Sequence, residues 1–137
     1  MEILDEKISV IPYVESRHFE LIEHWTKQAG GGVADPRLFV DGVVAARNDS
    51  GPFAALFVDR SVSHPVAYLR AFSRDAYAPP SLVAKAQREL CEWLQASCRR
   101  EGYDLLVGSY EPSGIEEIET HNMVVIQEGL TICGFVI

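Results

Sequence analysis

The chain has 137 residues, 47% hydrophobic and 23% charged, with a formal net charge of −8 at pH 7. That length reads as one domain with a real core, and the charge argues against nonspecific nucleic-acid binding, which rests on basic surface. No apolar run approaches the ~20 residues of a membrane span, and the acidic start from Met1 to Lys7 lacks a signal-peptide layout, so the expectation is a cytoplasmic protein that binds neither membrane nor nucleic acid.

Ile8 to Tyr13 reads as a short strand. Ser16 stands where it can cap a helix over residues 17–28, with Leu21, Ile22 and Trp25 as its apolar stripe. Gly30-Gly31-Gly32 ends that helix. It follows a helix rather than a strand and lacks the Lys-Ser/Thr of a phosphate loop, so it reads as a C-terminal cap. Asp35 to Phe39 suits a short helical turn. Gly42 to Arg47 and Pro52 to Asp59 are apolar segments, and Asn48-Asp49-Ser50-Gly51 between them is hairpin chemistry. After a turn over 60–64, Val66 to Phe72 reads as a third antiparallel strand. The run from Ser81 to Glu101 is an amphipathic helix with Leu82, Ala86, Leu90, Trp93 and Leu94 on one side, closed by Gly102. Leu105 to Tyr110 is a buried-looking strand. A short helix over 115–121 and a terminal hairpin, 123–126 with 130–136, complete the order. Antiparallel strands followed by strand–helix–strand units imply an α/β (α+β) fold, a mixed, mostly antiparallel sheet with helices on both faces.

The loop over 73–80 delivers Pro79-Pro80-Ser81-Leu82-Val83 to the end of the 66–72 strand. A helix start there offers unpaired backbone N–H groups and the positive end of the helix dipole, the usual cradle for a phosphate. Cys91, Cys98 and Cys133 have no CxxC spacing and no histidine partner, so they read as reduced structural thiols and no metal site is expected. His18, His24 and His64 read as surface or helix-start residues, Trp25 and Trp93 as core aromatics. Arg70, Arg74, Lys85, Arg88, Arg99 and Arg100 read mainly as solvated surface.

Three stretches then carry a resemblance: Ile11 through Trp25, the pair Gly42-Val43-Val44-Ala45-Ala46 and Gly51-Pro52-Phe53-Ala54-Ala55, and Glu119 through Thr131. In this order and spacing the chain resembles the GNAT acetyltransferase superfamily, more closely its short phage-borne members. The resemblance covers residues 1–137 and implies acetyl-CoA as the cofactor. It would be held by Phe72, Arg74, Ser81, Leu82, Val83 and Ala84, with Lys85 adding charge.

The resemblance also exposes departures. Tyr77 stands at a loop glycine of the family, followed by Pro79 and Pro80. Arg70 stands where many members carry a glutamate base, and it cannot accept a proton. Ile118 stands at the tyrosine acid, and Asn122-Met123 replaces the usual Gly-Phe. Glu111 and His121 are the substitute candidates for a base. The resulting expectation is a catalytically degenerate GNAT-fold protein with a narrow or blocked cofactor cleft. It would serve as a phage-type virion or accessory module for assembly or binding, with a protein partner or a second copy of itself. The alternative is an acyl-CoA-dependent N-acetyltransferase acting on an amine; a third reading is a protein that binds CoA without turnover.

Overall fold

The computed structural model describes residues 6–110, 124–127 and 131–136, with side chains described over 6–108. The elements are β1 (Ile8–Pro12), α1 (Glu15–Gln28), a 3-10 turn (Pro36–Leu38), β2 (Gly42–Arg47), β3 (Gly51–Arg60), β4 (Val66–Arg74), α2 (Pro80–Arg100), β5 (Leu105–Tyr110), β6 (Val124–Gln127) and β7 (Thr131–Val136). Hydrogen bonding orders the strands β1-β2-β3-β4-β5-β7-β6. β4 and β5 run parallel, whereas β1–β2, β2–β3, β5–β7 and β6–β7 are antiparallel. This is the mixed, mostly antiparallel sheet that the element order implied.

The chain forms two compact units, Met1–Phe57 with Ala71–Cys91 and Val58–Arg70 with Glu92–Ile137. In the first, Tyr13, Ile22, Trp25, Val44, Ala55 and Phe57 make the core, with Phe19, Leu21, Phe39 and Ala71 packed on it. Phe57 is met edge-on by Tyr13 at 4.9 Å and by Phe39 at 5.0 Å, the offset geometry that aromatic quadrupoles favour. Gly42 must be glycine here, because an added Cβ would lie 2.6 Å from Phe57 Cδ1 and 2.7 Å from the Leu56 carbonyl oxygen. The β2–β3 register slips between Ala45 and Ala46, leaving Phe53 as the extra residue of a bulge.

The start of α1 differs from the expected serine cap. Val14 is the N-cap, and Ser16 is an exposed residue of the first turn. Arg17 and His18 donate their N–H groups to the Val14 carbonyl. The His18 ring then closes the turn, Nδ1 accepting the Val14 N–H at 2.9 Å. His18 is thus a helix-start residue but a buried one. At the other end Gly30, with φ +76°, donates to the Lys27 carbonyl, and Gly31 donates to that of Thr26. This is the Schellman pattern expected of the triple glycine.

In the second unit, β4 pairs with β5 from Val66↔Leu105 to Tyr68↔Val107. β4 continues to Arg74 beyond the last of these pairs. α2 begins at Pro80, one residue before the expected start, and ends where Tyr103 N–H reaches the Cys98 carbonyl. Along it Leu82, Ala86, Leu90, Leu94 and Cys98 are buried, at the spacing that the apolar stripe gave. Arg60 bonds Ser97 in the last turn of that helix and Glu101 just past its end.

Candidate functional site

The first unit holds the end of β4, the loop after it and the start of α2. Every described amide of the loop has an internal acceptor. Asp75 N–H donates to the carbonyl of Phe53, the bulged residue, at 2.8 Å, and Ala78 N–H donates to the Asp75 carbonyl at 3.2 Å. Ala76 N–H donates to Gln28 Oε1 at 2.9 Å, and Tyr77 N–H to Asp75 Oδ1 at 3.0 Å. Gln28 Nε2 donates to the same Asp75 oxygen at 3.1 Å and lies 3.2 Å from His24 Nε2. The Asp75 carboxylate therefore takes the kind of place beside the loop amides that an external anion would take.

The start of α2 is closed in the same way. Pro79 and Pro80 have no N–H to offer. Leu82 and Val83 both donate to the Pro79 carbonyl at 3.0 Å. Ala84 already lies within the helical ladder of α2. Among the described residues Ser81 alone keeps an unengaged N–H in this turn, and it is exposed. The phosphate donors expected at Leu82 and Val83 are thus already in use within the first turn of α2. Lys85 is drawn to the Glu6 carbonyl, which its Nζ contacts, and is half-buried.

Phe72 and Arg74 lie elsewhere in this arrangement. They line a cavity of about 360 Å³ together with Trp25, Thr26, Ala29, Gly31, Phe39, Ala71 and Ser73. α1 supplies Trp25 and Thr26, the latter held by a 2.7 Å bond from Oγ1 to the Ile22 carbonyl. Gly31 is required there, since a Cβ would come within 2.8 Å of Thr26 Cγ2. Trp25 is 4% exposed, a core residue as expected, and it also forms part of the cavity wall. The Arg74 side chain is exposed and has no ion-pair or hydrogen-bond partner among the described residues.

Arg70 is paired with Asp59, Nη1 lying 2.9 and 2.8 Å from the two carboxylate oxygens. Tyr77 is turned to solvent at 87% exposure. Glu111, Ile118, His121 and Asn122-Met123 lie outside the described residues. Among the described residues no group of three or more His, Cys, Asp or Glu could hold a metal ion. No described helix is long and apolar enough to cross a membrane.

Sequence reading missed Gln28 and the cavity. Asp75 was legible as a turn former, because an aspartate often bonds the amide two residues on. Nothing local marks Gln28, whose partners lie 47 and 48 residues away.

No protein-family model matches the sequence, and no characterised protein matches it in sequence. Solved structures do match in fold. A GCN5-related N-acetyltransferase from Kribbella flavida superposes with a TM-score of 0.72 at 14% identity, covering 95% of this chain and 98% of that one. A GNAT-family acetyltransferase from Staphylococcus aureus gives 0.70 at 12% identity, over 95% and 99%. N-acetylglutamate synthase from Neisseria gonorrhoeae, solved with coenzyme A and N-acetyl-glutamate, gives 0.68 at 8% identity, over 96% of this chain and 35% of the synthase. The fold is therefore that of the GNAT acetyltransferases.

Proposed function

We propose that the chain is an acyl-CoA-dependent N-acyltransferase acting on a small amine. One observation carries the reading: Ala71, Phe72, Ser73 and Arg74, which end β4 beyond its last pair with β5, also wall a ligand-sized cavity. The backbone of this stretch suits the amide-bearing arm of a CoA thioester, by strand-like pairing. The cavity beside it would hold the amine. Transfer forms a C–N bond as the thioester C–S bond breaks, and the proton lost by nitrogen leaves with the thiolate. Glu111 or His121 would take that proton first. Ser81 N–H and the positive end of α2 would meet a phosphate. The loop fits phosphate only once Asp75 has moved aside, because its own amides are engaged. The assembly role in a virion has no support in the fold matches, which are acetyltransferases and a synthase.

The engaged loop favours a second reading, a GNAT-fold protein that does not hold CoA. Calorimetry with acetyl-CoA separates the two, using Ser81→Asp as the site variant. Aspartate at a helix start stabilises the helix and opposes an anion there. Micromolar binding that falls at least tenfold in the variant, followed by CoA release with a panel of amines, supports transfer. Absence of binding by the folded wild-type chain overturns it in favour of the second reading.

A further inference from the structure

We infer that the cavity beside the end of β4 takes a small molecule with an apolar or aromatic body and a free carboxylate, of which an aromatic or branched-chain amino acid is the type. Its volume, about 360 Å³, lies at the low end of ligand cavities, roughly 300–1,000 Å³. That is room for one amino-acid-sized molecule and not for a folded partner. Trp25, Phe39, Ala71 and Phe72 give the wall its apolar character, which suits a hydrocarbon or ring.

The charged feature of the wall is a donor. Arg74 brings a guanidinium with no partner among the described residues, a group that pairs with carboxylates by parallel N–H···O bonds. The nearest acid in sequence, Asp75, makes no ion pair with Arg74; its Oδ1 accepts from Gln28 and from the Tyr77 amide. A purely apolar ligand would leave the guanidinium unused, and a cationic amine without an acid would be repelled by Arg74. A carboxylate on an apolar body matches both the guanidinium and the apolar side chains of the wall.

As the acceptor in acyl transfer, such a molecule rests on the function proposed above; its binding does not. The test is calorimetry on the full chain without any coenzyme, titrating L-phenylalanine, L-leucine, L-phenylalaninamide and phenethylamine. At least one of the two acids should bind, with the amide and the amine at least tenfold weaker. Arg74→Gln should bring acid down to the level of amide, and Ala29→Phe, at an exposed wall position, should weaken both. Acid and amide binding alike would overturn the inference. So would failure of every probe to bind at millimolar concentration to protein that melts normally. Binding of the acids with no acyl transfer to them would leave the cavity's specificity standing and sink the transfer reading. Transfer to amines that carry no acid, with no binding of these acids, would sink this inference alone.

Discussion

The imidazole of His18 accepts the backbone N–H of Val14 at 2.9 Å through Nδ1. Only the neutral ring has a lone pair there. Burial, and secondarily the Arg17 charge, hold the His18 pKa below its ordinary value near 6.5. The linkage sign follows: the stabilisation is fully present above the unfolded-state pKa and is lost as pH falls through the depressed folded-state pKa. The melting temperature should therefore drop on acidification below about pH 6.5. His18→Gln, which can still accept the amide but does not titrate, should flatten that dependence, and His18→Ala should cost about 0.5–2 kcal/mol at neutral pH. An unchanged acid slope in His18→Gln would show that other groups cause it.

Asp75 holds a negative charge among the amides that a phosphate would use. A like charge a few ångströms away costs a bound anion ~1 kcal/mol in water and more at a protein surface. Asp75→Asn keeps an acceptor for the Tyr77 amide and removes the charge. Its affinity for CoA should rise about fivefold to tenfold over wild type. Calorimetry on both proteins decides the matter, and a fall in affinity would mean that the carboxylate organises the site instead of filling it.

Gly42→Ala should destabilise the first unit, because backbone oxygen on one side and the Phe57 ring on the other leave the methyl no room. Overpacking of this kind costs roughly 1–3 kcal/mol. Gly32→Ala, where nothing lies within 4 Å, is the control and should leave chemical denaturation nearly unchanged. Equal midpoints for the two variants would count against the close approach.

The Arg70–Asp59 pair is 38% and 56% exposed on its two side chains. Solvent screening should hold its coupling in a double-mutant cycle below about 1 kcal/mol. Arg70→Gln should therefore melt close to wild type. A coupling well above that bound would assign the pair a structural part in β3–β4 pairing.

Much of the architecture was legible because it rests on local pattern. The spacing of Leu82, Ala86, Leu90 and Leu94 marked α2, and Gly30 and Gly102 marked the ends of both helices, at positive φ. The start of α1 was read wrongly because histidine is not among the usual capping residues, so Ser16 drew attention from His18. The bulge at Phe53 was hidden, since it arises from register with β2 and not from the composition of β3. The bonding of the loop before α2 was legible only in part. That Pro79 and Pro80 would remove donors was readable; that Gln28 and Phe53 would occupy the remaining amides was not, because each contact joins distant parts of the chain.

The fully bonded loop has a kinetic meaning. An arriving anion cannot add to this loop as it stands; it must wait for a minor form in which Asp75 and Gln28 have let go. Association would then level off at the opening rate as ligand concentration rises, instead of climbing in proportion to it. The apparent affinity would be the intrinsic one multiplied by the population of that open form. Hydrogen exchange reads the same equilibrium without any ligand, since the Ala76 and Tyr77 amides can exchange only when the loop is released.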